Sequence, residues 1–485
     1  MALRIFNVLG REKQDFEPLI PDHVNMYVCG PTVQDYAHIG HAKTYITFDV
    51  ITRYLRHSGY HVLYVQNLTD VGHLLDTDED RLLKKARLTQ STPMQVAEKY
   101  ARLYFEAMDR LGVQRPDISP RASGHIPEQI KMIETLIEKG YAYEVNGSVY
   151  YDVVRAEDYG KLSNRRLEKQ EAGTREAVRT EKQNAEDFAL WKFAEPEHIL
   201  RWESPWGEGF PGWHIECSAM AKKYLGTTFD IHGGGIDNIF PHNECEIVQS
   251  ETANDAPFAR YWMLAGSLLL PDSSGNPIKM SKSLGNVVNV FDLLKLYRAE
   301  VIRLFMLSVH YSNPVTYDES SMEGASRGWE RLYNTVRLVR RALNSAPAGN
   351  DGNAILAPLE NTRTAFTEAM DDDFNTPQAI AALQEFTREV NTLLNSEQTV
   401  GIEVLTAIND LYSTLGGTVL GIIPAVDVAD GDGAREAALI EMLLGMRTQA
   451  RANKNWAESD RIRDELAKIG VLLEDRADGT IWRVS

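Results

Sequence analysis

The sequence predicts an α/β protein: a parallel sheet interrupted by an insertion, followed by a helical region and a small terminal domain. Three observations predict it. Strand-like apolar runs alternate with helical spacing over the first hundred residues. A less regular stretch, residues 116 to about 205, with Arg165, Arg166, Arg175 and Arg179 among glutamates, precedes a second strand-like set near Phe229. From about Arg327 to about Leu420 the apolar spacing is helical throughout.

Taken in order, Met26-Tyr-Val-Cys29 is a short apolar run closed by the turn signal Gly30-Pro31. Ile46, Val50 and Tyr54 then fall on one helical face, with Gly59 as the stop. His61 to Val65 reads as the next strand and ends in Asn67-Leu-Thr-Asp70. A helix starts at Thr92, where Thr92 suits the N-cap, Pro93 the first helical position and Gln95 the capping-box position. Val96, Tyr100, Leu103 and Ala107 line its buried face, and Gly112 ends it. The second half of the sheet resumes near Trp206-Gly207. Interruptions at residues 344–352 and 424–433 are rich in Gly, Pro, Asn and Asp and read as exposed loops or linkers. The resulting boundaries are 1–115 and 206–265 for the two halves of the sheet domain, 116–205 for the insertion, 266–326 for a loop-rich region, 327–423 for the helices and 434–485 for the terminal domain.

Composition excludes several function classes. The 485 residues carry 51 Lys and Arg against 69 Asp and Glu, a net charge of −18, which argues against broad, non-specific coating of nucleic acid. Three cysteines, Cys29, Cys217 and Cys245, do not make a disulfide framework and suit a reducing compartment. No apolar run reaches the ~18 residues of a membrane span, and the first residues lack a secretion-signal layout. The expected location is cytoplasmic.

Two motifs carry chemistry. His38-Ile-Gly-His41 opens the first long helix directly after a strand and turn. A helix N-terminus presents unpaired N–H groups and partial positive charge, so it suits phosphates, and two histidines three apart share a face. Gly40 allows close approach of a nucleotide ring. Alone, the tetrapeptide reads equally as two ordinary helix histidines. Lys279-Met-Ser-Lys-Ser283 follows a stretch rich in Pro, Gly, Ser and Asn and places Lys279 and Lys282 on a cationic arm suited to a leaving pyrophosphate. Alone, it is a solvated basic turn.

Together and in this order, the two motifs resemble those of class I aminoacyl-tRNA synthetases. Further segments narrow the resemblance to the cysteinyl-tRNA synthetase family: Tyr27-Val-Cys-Gly-Pro-Thr-Val33, Gly212-Trp-His-Ile-Glu-Cys-Ser-Ala-Met220, Phe229-Asp-Ile-His-Gly-Gly-Gly235, Met370-Asp-Asp-Asp-Phe-Asn-Thr-Pro377, and the end from Trp456-Ala-Glu-Ser-Asp460 to Gly479-Thr-Ile-Trp482. The resemblance implies a Rossmann-like catalytic domain with a connective insertion, a stem-contact region at 266–326, an α-helical bundle and a C-terminal anticodon-binding domain. It implies a monomer that activates L-cysteine with ATP and Mg²⁺ and charges tRNA(Cys).

The same resemblance implies one zinc ion held by Cys29, Cys217, His242 and Glu246. These residue types are zinc ligands, and His242 and Glu246 are four apart, on one helical face. Without the family, two buried free cysteines are the simpler reading of Cys29 and Cys217. Asn243 and Cys245 depart from the commoner His and Asn of the family, and Cys245 is a competing ligand. Zinc explains selection: an apolar pocket separates cysteine from serine by only ~10²-fold, whereas zinc prefers thiolate to hydroxyl. Two thiolates and one carboxylate leave the centre at net −1, so Glu246 is expected to be the loosely held ligand.

Gly30, Thr32 and Asp237 are expected to meet ATP, and the resemblance implies that Trp213 and His232 lie near the substrate; as a bare residue, Trp213 reads equally as a core aromatic. His73 has no assigned role. From residue 441 onward eight basic residues balance eight acidic ones, so this end is relatively basic. Arg451, Trp456, Asp460 and Asp475 suit anticodon bases by stacking and base-edge bonds, or belong to a small amphipathic helix with solvated charges. Arg327, Arg331, Arg337, Arg340 and Arg341 form a second basic stretch suited to phosphates, or a solvated helix face. A neighbouring enzyme type that joins cysteine to an amino-sugar in mycothiol synthesis lacks the terminal region, and the stretch from Trp456 to Trp482 argues against it.

Overall fold

The computed structural model describes residues 2–72, 81–165, 181–195, 198–280, 285–396, 398–425, 433–476 and 479–484. They divide into two compact units, residues 1–425 and 426–485.

A hairpin of β1 (Arg4–Asn7) and β2 (Glu12–Asp15) leads into β3 (His23–Val28), α1 (Ile39–His57) and β4 (His61–Gln66). Two helices follow, α2 (Arg81–Thr89) and α3 (Pro93–Arg110), the latter with the Thr92 N-cap, Pro93 and reciprocal Gln95 bonds that its sequence predicts. The chain continues with α4 (Ile126–Glu138) and an antiparallel sheet of β5 (Ala142–Val145), β6 (Ser148–Tyr151), β7 (Phe188–Phe193) and β8 (Gly209–Pro211), whose last strand lies past residue 205 and pairs back onto β7. Next come α5 (Trp213–Leu225), β9 (Phe229–Gly235), α6 (Glu244–Asn254) and β10 (Ala259–Ala265).

The central sheet runs in the order β10-β9-β3-β4, and every pairing is parallel. The chain leaves β3 toward β4 on one side and later passes from β9 to β10 on the other. The strand order therefore reverses between β3 and β9, and the crevice at their carboxyl ends is where open α/β sheets bind ligands. Cys29, Asn67 and Gly235 lie there, at or just past their strand ends.

Beyond the sheet lie β11 (Leu268–Pro271), β12 (Pro277–Lys279), α7 (Val290–Leu296), α8 (Ala299–Leu307) and β13 (Val315–Thr316). The helices α9 (Glu319–Leu343), α10 (Leu356–Asp371), α11 (Thr376–Leu394) and α12 (Ile402–Leu411) follow. Helix α9 starts eight residues before the expected Arg327, because Asp318 caps it by accepting from the Ser321 N–H at 2.8 Å.

The acidic segment at 371–373 fastens these helices to the sheet domain. Asp371 accepts from the Tyr54 hydroxyl at 2.7 Å, Asp372 pairs with Lys13 at 2.7 Å, and Asp373 accepts from Phe6 N–H at 2.8 Å and the Tyr311 hydroxyl at 2.9 Å. A second fastening is buried: Arg303 on α8 meets Asp49 on α1 at 2.6 Å and donates to the Leu420 carbonyl. Arg340 turns inward, donating to Asn409 and to the Pro424 carbonyl, so this member of the basic stretch holds the bundle rather than facing solvent phosphates.

Lys43 on α1 is 1% exposed, and its ammonium donates to the Met306 carbonyl at 3.2 Å. Burial pushes it from 10.5 down to about 8. Between those values the unfolded chain holds a proton that the folded chain has released, so stability rises with pH across that window. Urea unfolding of the wild type and Lys43→Met at pH 7 to 10 should show this gain in the wild type alone; a pH-independent difference between them would refute it.

The second unit contains α13 (Gly433–Ala452), α14 (Trp456–Lys468) and a hairpin of β14 (Val471–Arg476) and β15 (Gly479–Val484). Its own small core is Ile440, Leu444, Ile462, Leu466 and Val471, flanked by Trp482, whose indole N–H donates to Glu441 at 2.9 Å. Among the described residues no helix is long and apolar enough to cross a membrane.

Candidate active site and metal centre

Four side chains from four places in the chain meet at the carboxyl end of the sheet. Cys29 follows β3, Cys217 lies on α5, His242 precedes α6 and Glu246 lies in its first turn. All four are buried, and one ligand atom from each lies within 4.8 Å of the others. Zinc bonds of about 2.0–2.3 Å in a tetrahedron fit inside a cluster of that size. The His242 Nε2 lies 2.6 Å from Glu246 Oε1, and Cys29 Sγ lies 3.4 Å from the same oxygen.

The electrostatics are those of donors gathered for a cation. Burial pushes His242 down, but the Glu246 carboxylate and the Cys217 sulfur outweigh it and push it up to about 10. Burial raises Glu246, yet His232 and His242 hold it well below the usual carboxylate range. Cys29 is driven up by its bond with Cys217, by burial and by Glu246, while Cys217 is drawn down by the Cys29 bond. Two sulfurs and a carboxylate packed this closely need positive charge between them.

A second layer orients the first. The Nδ1 of His242 meets the Nδ1 of His214 at 2.9 Å, which turns His242 Nε2 toward the cluster. His232 is fully buried, stacks on Trp262 at 4.1 Å and bonds the second oxygen of Glu246 through Nε2. His232 thus meets Glu246 from behind, and the two oxygens of Glu246 meet one imidazole each, His232 and His242. Trp213 is 40% exposed and packs over His242 at 4.5 Å, on the open rim.

Cys245 stands apart. It points into the core shared with the insertion, beside the Tyr159 hydroxyl at 3.8 Å. An α-helix turns residue i+3 away from i+4 by about 100°, so Cys245 and Glu246 face different neighbours.

The helix α1 shows what its two histidines do. His38 is its N-cap, and its Nδ1 accepts from the Gly40 N–H at 3.1 Å. The Nδ1 of His41 accepts in turn from the His38 N–H at 3.2 Å, and the rings stack at 3.8 Å. Both Nδ1 atoms are acceptors, so each neutral ring carries its proton on Nε2. A Cβ on Gly40 would sit 3.0 Å from both His38 and the Met280 methyl. Met280 thus brings the start of the lysine motif against the histidine motif, though some 240 residues separate them. Gly30 is a glycine of necessity: a Cβ there would lie 1.6 Å from the Asn67 carbonyl oxygen. Its N–H donates to Asn67 Oδ1 at 2.7 Å, and Thr32 pairs with Thr69 as an isolated bridge. Lys279 pairs with Asp237, which also accepts from Ser267 at 3.4 Å. Lys282 and His73 lie outside the described residues.

Family models match nearly the whole chain in three parts. The tRNA synthetases class I (C) catalytic domain matches residues 15–327, the DALR domain 365–424, and the cysteinyl-tRNA ligase anticodon binding domain 435–483. The chain belongs to the cysteine–tRNA ligase family. A cysteine–tRNA ligase of Chlorobium luteolum is 49% identical over 99% of both chains. One of Deinococcus radiodurans is 50% identical over 99% of this chain and 96% of its own. A solved methionyl-tRNA synthetase of Mycobacterium tuberculosis, in complex with methionyl-adenylate, shares the fold with a TM-score of 0.59 at 14% identity, covering 83% of this chain and 92% of its own.

Within the family's anticodon-binding segment, Trp456 opens α14 and is 57% exposed, with Arg451 and Asp460 also exposed. Asp475 falls on β14, and its side chain is outside the described set. Arg447 is 4% exposed and belongs to the core of this unit, so it does not add to a basic surface.

Sequence reasoning missed His214, Tyr27, Asn67 and the buried Thr69–Glu216 bond of 2.9 Å. His214 adjoins Trp213 and Cys217 in one quoted segment, a signal that was present. Nothing in spacing marks the other three.

Proposed function

We propose that this chain is a cysteine–tRNA ligase that selects its amino acid through a zinc-bound sulfur. The observation that carries this is the buried Cys29, Cys217, His242, Glu246 group at the carboxyl end of the sheet, tied to α1 by the Tyr45 hydroxyl on the Cys29 carbonyl. Zinc, when held there, supplies a soft Lewis acid for the substrate thiolate. The chain's own residues do the rest. Nε2–H groups of His38 and His41 meet the triphosphate of ATP with its Mg²⁺, and the backbone at Gly30, Thr32 and Gly40 lets the nucleotide approach. Asp237 serves the ribose or the amino group once Lys279 turns from it to phosphate. The cysteine carboxylate attacks the α-phosphate; cysteinyl-adenylate forms and pyrophosphate leaves against Lys279 and Lys282. The terminal hydroxyl of tRNA(Cys) then takes the cysteinyl group and AMP leaves. Positioning and charge stabilisation suffice, with no covalent enzyme intermediate. Arg451, Trp456, Asp460 and Asp475 read the anticodon. The protein works as a cytoplasmic monomer.

ATP–pyrophosphate exchange with each amino acid in turn tests the assignment: cysteine alone should support it, and exchange with any other amino acid and not cysteine would overturn it. Lys282→Ala should slow exchange by roughly 10²–10³-fold with little change in the KM for cysteine, because the charge it meets develops in the transition state. An unchanged rate with a raised KM would remove Lys282 from this role.

A further inference from the structure

Two buried neutral groups next to the sulfur cluster have no task in the chemistry above. Tyr27 on β3 precedes Cys29, just past the strand end, by two, and packs in one cluster with it and Cys217 on the same side of the sheet. It is 0% exposed and pairs in register with His232, their rings 5.6 Å apart. Its hydroxyl faces the Cys217 sulfur, with Cys29 and the Glu246 carboxylate as further neighbours, and it meets no nitrogen or oxygen partner among the described residues. Asn243 is also 0% exposed, and its Nδ2 points at Cys29 Sγ at 3.8 Å, the long distance of an N–H to sulfur contact.

A buried hydroxyl with no nitrogen or oxygen partner is a cost that folded proteins rarely accept, unless a stronger acceptor is at hand. The acceptors in reach are sulfurs. As thiolates around a divalent cation, with Glu246, they leave a net charge of −1, and a substrate thiolate brings it to −2. Such a centre, with its ligands buried, needs donors that spread the charge without adding protons of their own to the ligands.

We propose that Tyr27 Oη and Asn243 Nδ2 are positioning donors to the Cys217 and Cys29 thiolates, and that they keep the centre able to accept a third sulfur. This rests on the zinc reading of the site. The donors act through the ligand sulfurs, so they govern how electron-rich those sulfurs are and how firmly the metal and the substrate thiol are held.

Cobalt-substituted protein tests this, with Tyr27→Phe as the variant because it removes one oxygen and keeps the ring. Loss of a donor makes the sulfur more electron-rich. The sulfur-to-cobalt charge-transfer band should therefore move to longer wavelength in Tyr27→Phe, and further in the double variant with Asn243→Ala. Zinc should be lost to a competing chelator about 10–100-fold more readily, and the spectral change on adding free cysteine should need several-fold more cysteine. An unmoved band with unchanged chelator resistance in both variants would overturn the proposal, as the effect would then be only that of deleting an unpaired buried hydroxyl. A wild-type protein that takes up neither zinc nor cobalt would overturn the zinc reading itself, and with it this one.

Discussion

Alanine at Cys217 is expected to leave the purified protein without bound zinc and without measurable cysteine activation. The loss should exceed the roughly 10–100-fold in metal affinity that even an outer partner of a metal site commands. Cys217 lies between Cys29 and His242, is 2% exposed, and its thiol is drawn toward the ionised form by its neighbours. Removing it also leaves Cys29 and Glu246 buried as acids with a smaller cation-binding set to answer them. Cys245→Ala is the matched control: it should keep a full complement of metal, because Cys245 packs against Tyr159 and the insertion core. Metal analysis of both proteins decides the matter. Full zinc in Cys217→Ala, or loss of zinc in Cys245→Ala, would assign the wrong cysteine to the site.

Removal of residues 434–485 should separate the two half-reactions. This unit has its own apolar core, and the metal donors and His38, His41 and Lys279 all lie in the other unit. Cysteine-dependent ATP–pyrophosphate exchange should therefore survive truncation, while charging of tRNA at sub-saturating concentration should fall below detection. Trp456→Ala gives the graded version, costing about 1–3 kcal/mol if one stacked base is lost. At 1.4 kcal/mol per decade that is roughly 5–150-fold, and truncation should exceed it. Charging by the truncated protein at the wild-type rate would place anticodon reading elsewhere. An amino-sugar ligase of the mycothiol type would charge no tRNA in either form.

Much of the fold follows from local patterns. The Thr92 cap with Pro93 and Gln95 starts α3 because capping is a contest among a few adjacent groups, and those groups are adjacent in sequence. Strands β3 and β4 announce themselves by short apolar runs between turn residues for the same reason. The start of α9 was placed late because its apolar periodicity strengthens only after the Asp318 cap and a first stretch of small and polar residues. The basic stretch on α9 looked uniform in sequence, yet Arg340 is an internal strut, since its donors find Asn409 and the Pro424 carbonyl only when the bundle closes.

The site divides along the same line. Residue identity and family motifs named Cys29, Cys217, His242, Glu246, His38, His41 and Lys279 without any coordinates, because those residue types carry their chemistry wherever they are placed. The folded chain settled what each one faces. Parallel pairing of β3 with β9 sets Tyr27 beside His232, a juxtaposition of residues some 200 apart that no local period encodes. The turn of α6 sends Glu246 to Cys29, Cys217 and His242, and Cys245 to the insertion. Strand β9 delivers His232 behind Glu246, at zero exposure. The donor tautomers of His38 and His41 follow from two backbone N–H bonds that exist only once the first turn of α1 has formed. Bonding capacity is a property of the side chain and travels with the sequence; partner, burial and protonation are properties of distance, and distance between remote residues is created by packing.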